Sequence, residues 1–219
     1  MPVLALARRR LNQGKLARLA WVLAALAALA VILGALGDDA TTVAEASELI
    51  AELMGLLAWG GAACLGLAAA GPSIERDSRE GLEALVVLGG GSVRTLRVSR
   101  WLAAAYEGAR RVLVPAFVAC LALGLATKSL LIASHLPGIA AFGVLVGAVM
   151  GLVGAACSEL GGQRGRSLFF LALLVPWLMS QASPGLGFSA AELVERGVDL
   201  LVRPMAHVGA CGSGSRGGA

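Results

Sequence analysis

Ionisable side chains are concentrated in one stretch of the chain, residues 73–88, which reads SIERDSREGLEALVVL. Apolar residues recur there at helical spacing after the charged part, which predicts a helix with one charged face and one apolar face. Such a helix offers ionic recognition rather than catalysis. Two uses remain open: docking of another protein, or anchoring of a surface hairpin to anionic lipid headgroups. The alternating acidic and basic residues are Glu75, Arg76, Asp77, Arg79, Glu80 and Glu83.

A second helix is predicted directly after this stretch. Residues 89–91 are three glycines that end the first helix, and Ser92 is a suitable N-cap for the next. Arg94, Arg97 and Arg100 follow at three-residue spacing, so they share much of one flank of that helix. We therefore predict a contact surface for a partner, the coupling segment, over about residues 73–100. The residues assigned to it are Asp77, Arg79, Glu80, Glu83, Arg94 and Arg97.

The common patterns for phosphate binding and hydrolysis do not occur in the sequence. It contains no GxxxxGK[ST], HExxH or GxSxG pattern, which excludes ATP hydrolysis through the usual phosphate loop. His135 and His207 are isolated, and neither has a second metal ligand at a coordinating spacing. We expect no catalytic site, metal or cofactor in this chain. The energy for any uphill transport must then come from a partner.

The elements that position these residues are apolar helices. Hydrophobic residues make up 58% of the 219 residues, charged residues 15%, and the mean hydropathy is +0.81. Soluble domains are about 45–50% apolar and about 25% charged, so a soluble enzyme or a nucleic-acid-binding domain is a poor fit. About 20 apolar residues cross a bilayer, and the composition predicts an all-α polytopic membrane bundle. Five spans are predicted, at residues 19–37, 53–74, 112–127, 138–158 and 167–191.

The orientation of the bundle follows from the distribution of its basic residues. Residues 1–18 and the loop between the second and third predicted spans carry most of the 18 Lys and Arg residues, whereas the first loop carries acidic residues only. By the positive-inside rule, the N-terminus and the coupling segment are cytoplasmic, as expected in a bacterial inner membrane.

Two patterns within the spans predict helix contacts. Gly143, Gly147 and Gly151 form a tandem GxxxG, which lets helix backbones approach closely in lipid. We assign it to packing within the bundle first, with a dimer interface as the alternative. Glu107 and Arg111 stand four residues apart where the third span begins, so they can pair on one helix face. We interpret that pair as an interfacial anchor, with part of a substrate pathway as the alternative.

The end of the chain lacks a further spanning run. Residues 190–203 predict a short amphipathic helix, and residues 205–219 form a Gly-rich tail of the flexible kind. Residues 1–204 are therefore assigned to a single membrane domain.

Together these features resemble the permease subunits of type-2 ABC transporters. They are the basic segment ARRRLNQGKLARLAWVLAALAAL, the D-x3-G-L-E-x-L run from Asp77 to Leu85, and the basic helix that enters the third span. The stretch 151–179, GLVGAACSELGGQRGRSLFFLALLVPWLM, adds to the likeness. Within that family the chain is most similar to the haem-exporter-like permease of cytochrome c maturation. The resemblance covers roughly residues 5–185.

The resemblance implies a non-catalytic membrane subunit that acts as a dimer or hetero-oligomer in contact with membrane lipid. Separate ATPase subunits would dock on its cytoplasmic loops, and other membrane proteins of cytochrome c maturation are implied partners. Family members have six spans, so the five predicted here indicate either a five-span variant or a truncated chain. Two alternatives stay open: an export permease for another substrate, and a membrane scaffold that transports nothing.

Overall fold

The computed structural model of the chain describes residues 2–37, 42–71, 81–160, 162–182 and 190–202. Regular structure in these ranges is entirely helical. Four helical segments are long and apolar enough to cross a membrane: Lys15–Ala35, Val43–Ala69, Val93–Ala126 and Ile132–Ser158. The prediction of an all-α membrane bundle is confirmed.

The helices are labelled in chain order. They are α1 (Pro2–Gln13), α2 (Lys15–Gly37), α3 (Val43–Leu57), α4 (Cys64–Ala69), α5 (Leu82–Leu88), α6 (Val93–Ala126), α7 (Leu136–Ser158), α8 (Gly162–Ala182) and α9 (Ala190–Leu201). A π-helical segment, Ala58–Ala63, joins α3 to α4 without a break, and a 3₁₀ helix, Leu130–His135, leads into α7.

Two predicted spans begin earlier than the uncharged runs indicated. The second helix starts at Val43, because Thr42 and Glu45 form a capping box in which each side chain accepts a hydrogen bond from the other residue's backbone N–H. Glu45, Glu48 and Glu52, predicted to lie in the first loop, are therefore on the first three turns of this helix, and Asp38 and Asp39 lie outside the described residues. The third span is the continuation of the basic helix, so α6 runs unbroken for 34 residues.

The fifth predicted span is described over only part of its length. Helix α8 covers residues 162–182 and is not among the four candidate spans. The predicted end at residue 191 is wrong, because Ala190 already belongs to α9. The amphipathic helix predicted at 190–203 is confirmed as α9, on which Val194 and Val198 are buried, and Val202 directly after it is buried too.

Charged residues lie at two opposite ends of the bundle. At one end, here called the basic end, α1 meets the end of α4, the start of α6 and the end of α7 around a small crevice. At the other, the acidic end, α9 packs beside α3 and the start of α7. Lys128 and Arg196 are the basic residues at the acidic end within the described ranges.

Candidate functional site: the basic end of the bundle

The structure covers the predicted coupling segment in part. Asp77, Arg79 and Glu80 lie outside the described residues, and Glu83 is on α5, where the structure does not describe its side chain. Arg94 and Arg97 lie exposed on the first two turns of α6.

Glycines and a serine fix the chain between α5 and α6. Gly90 adopts a φ of +78°, and its N–H donates to the Val87 carbonyl while that of Gly91 donates to the Val86 carbonyl. This is a Schellman ending, which favours glycine because other residues are strained at positive φ. The Ser92 hydroxyl then accepts the Thr95 N–H at 3.1 Å, so the predicted N-cap of α6 is confirmed.

A weak polar contact joins the start of α6 to the end of α7. Arg97 Nη1 lies 3.8 Å from Glu159 Oε2, and Trp101 Nε1 donates to Glu159 Oε1 at 3.3 Å. The Arg97 and Glu159 side chains are 61% and 32% exposed. An exposed ion pair of this kind stabilises a fold by about 0–1 kcal/mol. Arg97 can therefore exchange this partner for another at little cost.

Apolar side chains are also exposed along this part of the chain. Leu88, at the end of α5, is 83% exposed, and Val98 and Leu102 on α6 are more than half exposed. Part of the apolar face predicted for the coupling segment is therefore turned outward. Apolar side chains flanked by Arg94 and Arg97 offer a partner both burial and charge.

A group of ion pairs lies further along α6 than this exposed contact. Four residues form a buried charge cluster: Arg8 on α1, and Glu107, Arg110 and Arg111 on α6. Arg8 Nε and Nη2 both lie 2.9 Å from Glu107 Oε1, and Arg111 Nη1 donates to Glu107 Oε2 at 3.2 Å. Arg110 Nη1 is 3.7 Å from Glu107 Oε1. The predicted pairing of Glu107 with Arg111 is confirmed.

Arg111 also ties three helices together. Its Nη2 donates to Asn12 Oδ1 at 2.6 Å and to the Ala17 carbonyl at 3.3 Å, and its Nη1 donates to the Glu107 carbonyl at 3.1 Å. These contacts join the end of α1 and the start of α2 to α6. The Arg111 Nε is buried and has no hydrogen-bond partner among the described residues.

The cluster has more positive than negative charge. One carboxylate faces three guanidinium groups, and both Glu107 and Arg111 are fully buried. Aromatic rings stabilise part of the excess positive charge through cation–π contacts. The Arg8 guanidinium carbon lies 4.3 Å from the ring centre of Tyr106, and those of Arg110 and Arg111 lie 5.4 and 5.3 Å from that of Trp21. A buried charge is costly unless it is paired, so this arrangement fixes where α1 and α2 sit on α6.

Sequence reasoning missed the burial of this cluster. The interfacial anchor proposed for Glu107 and Arg111 is instead a core contact, because α1 covers it from outside. One signal could have revealed it: Leu4, Ala7 and Leu11 recur at helical spacing in the basic N-terminal segment, which is typical of a helix that buries one face.

The glycines of α7 lie against α6 of the same chain. A Cβ atom on Gly147 would overlap the backbone of Gly108 and Ala109, and one on Gly151 would overlap the Ala104 carbonyl. Gly143 is covered by the Leu113 side chain. The face predicted for close helix approach is thus used inside the chain.

His135 is held by hydrogen bonds to two other segments of the chain. His135 is buried, with its Nε2 3.1 Å from the Ser47 hydroxyl and its Nδ1 3.1 Å from the Val202 carbonyl. Both ring nitrogens therefore have protein partners. His207 lies outside the described residues, and within the described ranges no three His, Cys, Asp or Glu side chains converge to hold a metal ion.

A groove of about 430 Å³ opens between α3 and α9 at the acidic end. Its floor is apolar, and Glu52, Glu195 and Asp199 lie along it. It faces away from the basic end, so it is separate from the coupling segment.

Comparison of the chain with protein-family models, curated proteins and solved structures finds no match.

Proposed function

We propose that this chain is the membrane-spanning permease subunit of an ABC-type exporter, driven by separate ATPase subunits, with haem handling for cytochrome c assembly as its setting. The observation that carries the proposal is the continuity of α6 with the coupling segment. This helix extends about 51 Å at 1.5 Å per residue, whereas the hydrocarbon core is about 30 Å thick. One rigid element therefore begins next to the coupling segment and ends at the acidic end.

The coupling segment has the properties needed to receive a push from an ATPase. It joins two spans at the basic end, which the positive-inside rule assigns to the cytoplasm, where ATP is available. Its acidic and basic residues allow ionic docking, and among the described residues Arg97 pairs with Glu159 in an exposed contact. A displacement of residues 73–92 would be transmitted to α6 through the short turn at Gly90 and Ser92.

The buried charge cluster gives that motion a fixed point. It lies about 21 Å along α6 from Val93, counted to Glu107 at 1.5 Å per residue. At this level Arg111 ties α6 to α1 and α2, and the glycines of α7 lie against the same part of α6, from Ala104 to Leu113. We propose that α6 tilts about this point when the ATPase subunits close.

The scaffold alternative has less support than the sequence alone gave it. A scaffold could hold other subunits through small-residue faces such as that of Gly143, Gly147 and Gly151. Gly147, Gly151 and Gly66 instead lie against backbone of the same chain, so those faces are occupied. Other transported substrates remain compatible with the permease proposal.

Charge reversal in the coupling segment tests the proposal. Glu80→Arg and Glu83→Arg should abolish binding and stimulation of the ATPase while membrane insertion stays intact. The matched control is Glu195→Arg, which reverses an exposed carboxylate on α9 at the opposite end and should leave the ATPase stimulated. Normal ATPase binding and stimulation by both coupling-segment variants would overturn the assignment.

A further inference from the structure

The seam between α2 and α6 at the basic end carries an unbalanced positive charge next to the lipid-facing surface. Of the three arginines around Glu107, Arg8 and Arg111 hydrogen-bond its two carboxylate oxygens. Arg110 is left 3.7 Å from Oε1, and its side chain is 44% exposed. Among the described residues, three guanidinium groups face one carboxylate here, so the cluster carries two more positive than negative charges.

The seam also has an aromatic platform and a second cation. Trp21 lies beside the Arg110 guanidinium, with 5.4 Å between the guanidinium carbon and the ring centre. Arg18 is exposed one helical turn before Trp21 on α2, and residues three apart are neighbours on a helix surface. A ligand at this position would meet the Arg110 guanidinium, which is well suited to bidentate contact with phosphate, and Arg18 would add a second positive charge one turn away on α2.

The depth of the seam matches the level of lipid headgroups. Arg110 is about 24 Å from the end of α6 at Ala126, counted at 1.5 Å per residue, and the hydrocarbon core is about 30 Å thick. Its backbone therefore lies near the edge of the hydrocarbon, and a long arginine side chain reaches from there to the interface. Tryptophan and tyrosine are enriched at the same level, where Trp21 and Tyr106 are found.

The surface that follows Arg110 along α6 and Trp21 along α2 is apolar and exposed. Val114 lies one turn after Arg110 on α6 and is 43% exposed, and Val22 follows Trp21 on α2 and is 53% exposed. A free phosphate ion would gain nothing from these side chains. A phospholipid would place its phosphate at Arg110 and an acyl chain along the two valines.

We propose that the seam formed by Arg18, Trp21, Arg110 and Val114 binds one anionic phospholipid, with the lipid phosphate on the Arg110 guanidinium. The lipid supplies the negative charge that the buried charge cluster lacks. This proposal does not depend on the permease function, because it rests on the charge balance and depth of the seam alone.

The test titrates the purified, delipidated protein with phosphatidylglycerol in a non-ionic detergent and counts bound lipids by native mass spectrometry. We expect one tight phosphatidylglycerol per chain and at least tenfold weaker binding of phosphatidylcholine. Arg110→Gln should weaken the phosphatidylglycerol affinity at least tenfold, and Arg110→Lys, which keeps the charge but loses bidentate geometry, should fall between. The matched control is Arg164→Gln, which removes an exposed arginine at the start of α8, outside the seam and the coupling segment, and should bind like the unaltered chain.

Three results would overturn the proposal. Equal affinities of the Arg110→Gln and Arg164→Gln variants would show non-specific attraction to basic residues. Equal binding of the two lipids would remove the role of charge. Displacement of the lipid by millimolar inorganic phosphate or glycerol phosphate would identify a soluble anion, not a lipid, as the ligand. Because Arg110 is partly exposed, its variants should keep the fold, which an unchanged elution volume would verify.

Discussion

Replacing Glu107 by glutamine is the most informative single change in this molecule. The substitution keeps the size of the side chain and removes the one carboxylate that faces Arg8, Arg110 and Arg111. One of the two oxygens becomes an NH₂ group, which then opposes a guanidinium donor. Removing one member of a buried ion pair costs about 3–5 kcal/mol, because the remaining charge is left without compensation. Since Glu107 and Arg111 are fully buried, we expect Glu107→Gln to lose an amount of unfolding free energy in this range.

The matched control is Glu159→Gln, which removes a carboxylate paired with an arginine at the same end of the bundle. The Arg97–Glu159 pair spans 3.8 Å and is exposed, so its loss should cost about 0–1 kcal/mol. The measurement is reversible unfolding of both variants by SDS in mixed micelles. A double variant, Glu107→Gln with Arg111→Gln, should recover part of the loss, because the uncompensated buried charge is gone.

The reasoning would be refuted by equal losses in the two single variants. It would also be refuted if the double variant lost the sum of its two single changes, since contacting residues are expected to be coupled.

Two further predictions concern the packing of helices. Gly147→Val should destabilise the chain by about 1–3 kcal/mol in the same unfolding assay, because its side chain would overlap the α6 backbone. Gly34→Val, at a position with open space, is the control and should have little effect. Similar losses in both variants would argue against the close contact between α6 and α7. His135→Ala should release α9 from the bundle by removing the bonds to Ser47 and the Val202 carbonyl, so amide hydrogen exchange in residues 190–202 should speed up while that of α6 stays unchanged. Unchanged exchange in α9 would contradict a fastening role for His135.

Local patterns in the sequence predicted local features well. The four-residue spacing of Glu107 and Arg111, the Ser92 N-cap and the glycine ending of α5 all depend on neighbours within one or two turns. Hydrophobic runs located the four candidate spans, because a helix in lipid must be apolar over its whole length. The boundaries were less accurate: the acidic residues of α3 were assigned to a loop, although capping at Thr42 makes them helical.

Contacts between distant segments could not be predicted in this way. Arg8 and Asn12 meet α6 across 99 residues of sequence, and neither carries a motif that names its partner. The same holds for His135, whose partners Ser47 and Val202 lie 88 and 67 residues away. Such contacts depend on which helix faces meet in the folded bundle, and a single sequence does not specify that pairing.

The most direct test of the permease proposal is isolation of the chain from its native membranes in mild detergent, with a tag on the N-terminus, followed by mass spectrometry of the co-purifying proteins. We expect an ATPase subunit with a phosphate-loop sequence, retained by the unaltered chain and by the Glu195→Arg control. The Glu83→Arg variant should lose that subunit. Recovery of the chain with no nucleotide-binding partner, from membranes in which it is folded and inserted, would contradict the proposal and favour the scaffold alternative.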